Sequence, residues 1–142
     1  MEGVEVEVLE FQGTVETVEK ASRLSGEPPS RIVKTLLIKA GGSYVVAVVR
    51  GDRRVDYGKA QQVLGSPVLL ASPSEVKAVL GVEPGAVTPI SSRIRELRVV
   101  LDPKVLKNEY VLCGGGSINR LYKVRTRDLV EYLKPMIADV FK

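Results

Sequence analysis

Hydrophobic and polar residues follow two different spacings in the first third of the chain. Residues 4–8 alternate valine with glutamate, and this period of two predicts a strand with one buried face. Apolar residues three or four positions apart over 14–24 predict a helix. The β-branched runs 32–39 and 44–50 are separated by the glycine-containing segment 40–43, so they predict the two strands of a hairpin.

Capping residues mark two helices in the middle of the chain. Asp56 can cap a helix that Gly65 would stop. Ser72 and Glu75 have the spacing of a capping box, which predicts a second helix that ends near Gly81. The following segment is rich in glycine and proline but also apolar, so we expect an ordered loop there.

The last third of the chain returns to β-type patterns before a final helix. Further strands are expected at 97–101, 110–113 and 121–124. Thr126 can cap a helix that Pro135 breaks, and its expected inward side chains are Leu129, Val130 and Leu133. Strands and helices neither alternate strictly nor segregate, which predicts an α+β fold with a mixed, barrel-like sheet flanked by helices.

The chain has 142 residues, which is the size of one average domain, and we expect a single domain over residues 1–142. Hydrophobic residues make up 44% and charged residues 27%, so the chain should fold. No apolar run approaches the roughly 18 residues of a membrane helix, and the N-terminus lacks the basic and apolar regions of a signal peptide. We therefore expect a soluble cytoplasmic protein without membrane contact.

The cysteine and histidine counts exclude several kinds of catalysis. Cys113 is the only cysteine and the chain has no histidine. A disulfide within the chain, a structural zinc site and both Ser-His-Asp and Cys-His catalysis are therefore excluded. Cys113 itself is expected to be a small buried hydrophobe, and we expect neither a metal nor another cofactor.

The net charge of +4 comes entirely from the second half of the sequence. Residues 1–71 contain nine basic and nine acidic residues, whereas 72–142 contain twelve and eight. The basic excess includes Arg120, Arg125 and Arg127. Such a stripe can meet nucleic-acid phosphates, but a solvated and salt-bridged surface has the same composition.

Lys34 is an unusual residue for an apolar strand. Alternation places it on the same face as Ile32, Leu36 and Ile38. A lysine on that face either lines a cleft where an anion or a carbonyl oxygen binds, or protects the edge of a sheet. Thr35 should point to the opposite face, unless a bulge redirects its hydroxyl.

Two glycine-containing loops can bring backbone amides close to a ligand. The run Cys113-Gly114-Gly115-Gly116-Ser117 follows a predicted strand, and the second loop runs from Gly85 to Pro89. Glycines permit close approach and form donor nests, although ordinary hairpin turns have similar sequences. The run lacks the Lys-Ser/Thr of a P-loop and the spacing of a dinucleotide site.

Four motifs taken in order resemble the YbaK/prolyl-tRNA synthetase insertion-domain family of aminoacyl-tRNA editing deacylases. They are Ile-Val-Lys-Thr-Leu at 32–36, Gly-Asp-Arg-Arg-Val-Asp at 51–56, Gly-Ala-Val-Thr-Pro at 85–89 and Gly-Gly-Gly-Ser at 114–117. The resemblance runs from about residue 14 to residue 133. It implies a barrel-like mixed sheet with helices and a pocket where the ester at the tRNA 3′ end is hydrolysed.

The resemblance also implies roles for individual residues. Lys34 matches the functional lysine, placed against the ester carbonyl oxygen or a terminal phosphate. The implied substrate-binding residues are Thr35, Gly85, Ala86, Pro89, Gly114, Gly115, Gly116 and Ser117. The charge of the basic stripe, rather than the resemblance, suggests Arg120, Arg125 and Arg127 as contacts with the tRNA. The implied partners are a mischarged aminoacyl-tRNA and an aminoacyl-tRNA synthetase.

Two positions depart from the family pattern, and both bear on which amino acid is removed. Many members have a second glycine where this chain has Ala86, and some have histidine where it has Arg120. The sequence also leaves two other functions open: a non-catalytic module that binds tRNA or a synthetase, and a nucleotide or oligonucleotide binder.

Overall fold

The computed structural model describes residues 2–142, which form eight strands and five helices. The strands are β1 (Val6–Glu10), β2 (Val33–Ala40), β3 (Ser43–Arg50), β4 (Val68–Leu70), β5 (Arg98–Leu101), β6 (Tyr110–Gly114), β7 (Arg120–Arg125) and β8 (Met136–Ile137). The helices are α1 (Val18–Ser25), α2 (Tyr57–Leu64), α3 (Pro73–Leu80), α4 (Ser92–Arg95) and α5 (Thr126–Leu133). Within residues 2–142, no helix has the length and apolar character needed to cross a membrane.

The strands are divided between two sheets. A three-stranded antiparallel sheet has the order β1-β7-β6, and a five-stranded sheet has the order β4-β2-β3-β5-β8. In the larger sheet β2 pairs antiparallel with β3 and β4, whereas β5 pairs parallel with β3 and β8. A parallel bridge between Ile32 and Leu112 links the two sheets. The predicted α+β fold with mixed pairing is confirmed, and its strands form two open sheets rather than a closed barrel.

Strand β3 lies at the centre of the fold because both of its faces are covered. Val46 and Val48 are fully buried in the main core, between the larger sheet, the smaller sheet and helices α3, α4 and α5. Ala47 and Val49 are buried on the opposite face, against α2 and Phe141. A strand buried on both faces explains the continuous apolar run, since neither face requires polar residues.

The predicted helix ends in the middle of the chain are confirmed. Asp56 accepts a hydrogen bond from the Lys59 N–H at 3.1 Å, and Gly65 ends α2 in the left-handed conformation. Both bonds of the capping box of α3 are present, between Ser72 and Glu75. Side-chain caps satisfy N–H groups that the helix itself leaves unpaired, so local sequence alone predicts them.

Three predicted boundaries are wrong. The first strand begins at Val6, and α1 begins at Val18, because Thr17 caps it by accepting from the Lys20 N–H at 3.2 Å. Thr126 is the first residue of α5 rather than its cap, and its hydroxyl is buried without a partner among the described residues. On α5, Leu129 and Leu133 are buried as expected, but Tyr132 is buried where Val130 is only partly so.

Candidate functional site

A cavity of about 320 Å³ lies where the start of α1, the start of β2 and the two glycine-containing loops meet. It brings together six of the twelve candidate residues: Lys34, Thr35, Gly85, Gly114, Ser117 and Arg120. The other six do not line it: Ala86, Pro89, Gly115, Gly116, Arg125 and Arg127. Segments distant in sequence therefore converge on a single site.

Lys34 reaches this cavity from an otherwise apolar strand. Its neighbour Val33 and the residue Leu37 are both 3% exposed in the main core, so alternation directs Lys34 to the other face of β2. Among the described residues no hydrogen bond or ion pair engages its ammonium, and the residue is partly buried. Burial lowers the pKa of Lys34, and the carboxylates of Glu19 and Asp52 act in the opposite direction. Its three donors are available to a ligand.

Thr35 contributes a second unsatisfied group to the same cavity. The pairing of β2 with β3 is regular from end to end, so no bulge redirects the side chain. Thr35 lines the cavity nevertheless, and its Oγ1 atom is buried without a hydrogen-bond partner in the described part of the chain. A buried hydroxyl without a partner is costly in a folded protein, which is compatible with a ligand as the missing partner.

The glycines at the end of β6 are required first by the fold. A Cβ atom on Gly114 would overlap the carbonyl oxygen of Val87, so the two glycine-containing loops touch here. A Cβ atom on Gly115 would lie 2.6 Å from Arg120 Cγ, and Gly116 has a φ of +83°. Protein atoms therefore already occupy the space that the first two missing side chains leave.

Two of the backbone donors expected around a substrate are already engaged. The Gly115 N–H donates to the Arg120 carbonyl at 3.0 Å, and the Ala86 N–H donates to the Glu83 carbonyl at 2.9 Å. No acceptor among the described residues engages the N–H groups of Gly85 and Gly116. Fewer backbone N–H groups are therefore available to bind a substrate than the sequence suggests.

The second loop forms a short 3₁₀ turn that borders the cavity through Gly85. A Cβ atom there would lie 3.2 Å from Glu16 Cβ and 3.3 Å from Ile118 Cγ2, both of which belong to side chains. Pro89, at the end of this loop, is buried. Gly85 is thus the position in this loop where added volume would reach the cavity.

The three candidate arginines lie at two separate places. Arg120 is tied to Glu10, whose Oε1 accepts from its Nε at 2.5 Å, and this hydrogen bond raises the pKa of Arg120. Arg125 stands at the opposite end of β7, about 17 Å away at roughly 3.3 Å per residue. Arg127 is exposed beside Asp128. The basic stripe and the cavity are therefore different surfaces.

Two acidic residues line the cavity without having been singled out from the sequence. Glu16 and Glu19 lie at the start of α1, facing the same space as Lys34. Lys20 donates to Glu16 at 2.6 Å, and this hydrogen bond lowers the pKa of Glu16. The sequence marks both glutamates only as acids near a helix N-terminus, because their place beside Lys34 depends on how α1 packs against β2.

The run 51–56 lies next to the cavity and is held in place by hydrogen bonds to a buried carboxylate. Asp102 is fully buried and accepts from the Arg53 guanidinium at 2.5 Å. It also accepts from the N–H groups of Arg50 at 3.2 Å and Lys104 at 3.0 Å. Every oxygen of this buried carboxylate therefore has a donor, as buried charges require.

The same run fixes the last residues of the chain. Arg53 donates to the Phe141 carbonyl at 3.0 Å, and Arg54 and Lys142 exchange backbone hydrogen bonds at 2.9 and 2.8 Å. Gly51, which lines the cavity, donates to the Ile32 carbonyl at 2.6 Å. One wall of the cavity is thus held by residues from three parts of the sequence.

The remaining reactive groups are poorly suited to covalent or metal chemistry. Cys113 is fully buried, and desolvation raises the pKa of its thiol to about 12. Within residues 2–142, no three His, Cys, Asp or Glu side chains are close enough to hold a metal ion. The chemistry that the cavity offers is hydrogen bonding and charge from Lys34, Thr35 and backbone amides.

Comparison with known proteins shows where the chain belongs. The sequence model described as "Aminoacyl-tRNA editing domain" matches residues 12–132. The chain belongs to this family of aminoacyl-tRNA editing domains. The match covers all the residues that line the cavity and confirms the resemblance predicted from the four motifs.

Relatives of this editing domain occur as small proteins and within larger ones. The chain is 32% identical over 129 residues to the uncharacterized protein YwhH of Bacillus subtilis, covering 90% of this chain and 82% of that protein. It is 33% identical over 126 residues to a proline–tRNA ligase of Bacillus licheniformis, covering 85% of this chain and 22% of the ligase. The chain thus spans only about a fifth of that ligase.

Solved structures share the whole fold of this editing domain. The hypothetical protein APE2540 has a TM-score of 0.89 and 32% identity, with 99% of this chain and 94% of that chain covered. A protein proposed as a trans-editing enzyme for prolyl tRNA synthetase has a TM-score of 0.86 and 26% identity, with 96% and 87% covered. Both likenesses extend over the two sheets and the helices between them.

Proposed function

We propose that this chain is a trans-acting aminoacyl-tRNA deacylase, a hydrolase that cleaves the ester between a tRNA and a wrongly attached amino acid. The observation that carries this proposal is the Lys34 ammonium, which lines the cavity without a partner among the described residues. Membership of the editing-domain family supports the same chemistry. The prolyl-tRNA ligases among the relatives suggest a tRNA for proline and its synthetase as the partners.

The reaction requires no nucleophile from the protein, because the aminoacyl ester is already activated. Water attacks the acyl carbon, the bond from that carbon to the ribose oxygen breaks, and the oxygen takes up a proton. The products are a free amino acid and a tRNA with an intact 3′ end. The protein accelerates hydrolysis by positioning the water and stabilising the oxyanion. The neighbouring ribose hydroxyl assists proton transfer.

Lys34 takes the central role in this proposal. Its Nζ donates to the ester carbonyl oxygen as negative charge develops there, or holds the terminal phosphate in place. Among the other residues that line the cavity, Thr35 and the N–H group of Gly85 are the further donors. The reduced solvent exposure of Lys34 strengthens its interaction with a developing anion, since fewer waters compete for it.

The tRNA body requires a larger surface than the cavity. Arg125 lies about 17 Å from Arg120 along β7, at a strand rise of roughly 3.3 Å per residue, and Arg127 follows it at the start of α5. We propose that these two exposed arginines contact acceptor-stem phosphates, whereas Arg120 supports the loop at the cavity. Affinity for tRNA should then fall as salt increases.

A deacylation screen tests the proposed function. Wild-type protein is mixed with a panel of mischarged tRNAs, including mischarged proline tRNA, and release of each amino acid is compared with spontaneous hydrolysis. We expect at least one member to be hydrolysed far above the spontaneous rate, with activity unaffected by a chelator or a thiol-alkylating reagent. Tight tRNA binding with no turnover on any member would instead identify a non-catalytic binding module.

A further inference from the structure

The cavity contains an unpaired negative group as well as an unpaired positive one. Glu16 is bonded to Lys20, and Arg120 is bonded to Glu10. In contrast, no hydrogen bond or ion pair within residues 2–142 engages the Glu19 carboxylate, which lies in the first turn of α1. Glu16 and Arg120 are therefore paired, whereas Glu19 and Lys34 are unpaired groups of opposite charge that line the same cavity.

The two charges are close enough to influence each other, but they do not form a pair. The Glu19 carboxylate acts against the burial that lowers the pKa of Lys34, and no ion pair joins the two side chains. Thr35 follows Lys34 on β2 and also lines the cavity, although alternation places its side chain on the opposite face of the strand. A partly buried cation and an exposed carboxylate on one cavity can bind a ligand that carries complementary groups.

We infer that Glu19 binds the α-ammonium group of the aminoacyl ester and so fixes which way the amino acid enters the cavity. The inference rests on the proposed function, because it assigns a residue to one part of that substrate. An aminoacyl ester has a cation at its α-carbon and an oxygen that becomes negative during hydrolysis. Glu19 and Lys34 match these two groups in sign.

The opposite orientation is disfavoured by the same charges. If the ester were reversed, its ammonium would face Lys34 and its carbonyl oxygen would face Glu19, so both contacts would be repulsive. Carboxylate–ammonium hydrogen bonds are also stronger than those between neutral groups. Glu19 is therefore a positioning residue that directs the carbonyl oxygen towards Lys34.

This role has a consequence for substrate choice beyond the side chain of the amino acid. An N-acylated aminoacyl-tRNA, such as a peptidyl-tRNA, has no α-ammonium and loses the contact with Glu19. The cavity would then favour tRNAs that carry a free amino acid over tRNAs that carry a growing chain. Selectivity of this kind comes from one missing charge rather than from size.

Binding of two non-hydrolysable analogues tests the inference. Both are amides of 3′-amino-3′-deoxyadenosine, one with an α-amino acid and the other with the matching α-hydroxy acid. Calorimetry at about pH 6 keeps the amine protonated, since α-amino groups titrate near 7.7–8.0. We expect the wild type to bind the α-amino analogue roughly tenfold more tightly, in line with one charged hydrogen bond at a partly exposed site.

Glu19→Gln should abolish this preference, whereas Glu96→Gln should keep it. Glu96 is an exposed glutamate outside the cavity, so its variant controls for the loss of one negative charge. The ratio of the two affinities is the decisive measurement, because any effect of Glu19 through Lys34 or through helix α1 changes both analogues equally.

The outcomes separate this inference from the proposed function. A wild type that binds both analogues equally, or neither of them, overturns the role of Glu19. A Glu19→Gln variant that keeps the tenfold ratio also overturns it. The proposed function is judged independently by the tRNA screen, since analogue binding requires no hydrolysis.

Discussion

Arg53 and Lys34 lie near the same end of the β2–β3 hairpin, but their surroundings differ. Arg53 donates to the fully buried Asp102 and to the Phe141 carbonyl, so protein atoms satisfy its charge. Lys34 is half-buried, and no partner in the described chain satisfies it. The first cation stabilises the fold, whereas the second is available to a ligand at some cost to stability. Both belong to the motifs that carry the family resemblance, and the structure shows that their surroundings differ.

The largest effect, a loss of stability, is expected from breaking the buried Arg53–Asp102 pair. Asp102→Ala leaves Arg53 without its carboxylate and removes the acceptor of the Arg50 and Lys104 N–H groups. Loss of one partner of a buried pair typically costs about 3–5 kcal/mol of unfolding free energy. Urea unfolding measures this loss.

Asp52→Ala is the matched control for this variant. Asp52 also pairs with an arginine, Arg50, at 2.6 Å, but its side chain is 38% exposed. An exposed pair contributes about 1 kcal/mol or less, so the control should lose little stability. Equal losses in the two variants would show that burial is not what distinguishes the pairs.

The next effect concerns the unpaired cation. Lys34→Ala should lower the single-turnover rate of deacylation by about a hundredfold or more, as loss of an oxyanion-stabilising donor usually does. Its melting temperature should stay the same or rise, because a half-buried charge without a partner is removed. The substrate is the tRNA that the wild type hydrolyses fastest in the screen.

Lys39→Ala provides the comparison on the same strand. Lys39 is bonded to Glu75 at 3.0 Å and does not line the cavity. This variant should keep the wild-type rate. A Lys34→Ala protein that is fully active, or one that unfolds easily, would contradict the assignment of Lys34 to catalysis.

A third variant, at Gly114, tests how tightly protein atoms pack where the two glycine-containing loops touch. Gly114→Ala places a Cβ atom against the Val87 carbonyl and should cost about 1–3 kcal/mol, the usual range for overpacking. Gly42→Ala is the control, because nothing lies within 4 Å of a Cβ atom there. Unfolding curves of the two variants should differ clearly, and coincident curves would mean that the two loops do not touch in solution.

The smallest effect, a change of stability with pH, is expected at the hydrogen bonds around Glu75. Hydrogen bonds from the Ser72 N–H, then the Tyr44 hydroxyl and Lys39, lower the pKa of Glu75 from 4.5 to about 2. Because the folded value lies below the unfolded one, the stabilisation is complete above about pH 4.5 and is lost as the pH falls towards 2. The difference in melting temperature between wild type and Glu75→Gln should therefore shrink between pH 5 and pH 2. A constant difference would contradict the role of these hydrogen bonds.

The parts of the fold that depend on neighbouring residues could be predicted from the sequence. Asp56 with Gly65, and Ser72 with Glu75, are local signals whose physical cause lies within one helical turn. The start of α1 was misplaced because Val15 has the right spacing for the helix but packs in a separate cluster before the Thr17 cap. Periodicity alone does not distinguish these two uses of an apolar residue.

The candidate site was predictable in its components but not in its contacts. Lys34 and the two glycine-containing loops meet as the motif resemblance implies. The occupied N–H of Gly115 could not be foreseen, because its acceptor is set by the pairing of β6 with β7. Glu19 was missed for the same reason, since its position depends on contacts between distant segments.

The backbone pairing of Arg54 with Lys142 joins the segment after β3 to the last residues of the described chain. The Asp56 N–H extends this ladder by donating to the Val140 carbonyl at 2.7 Å. Amides in one such ladder lose their protection from solvent together, as a single cooperative unit. Deuterium should therefore enter the amides of Arg54 and Lys142 at similar rates. We expect local opening of the backbone near Gly51, in the cavity wall, to be coupled in this way to a segment far away in the sequence.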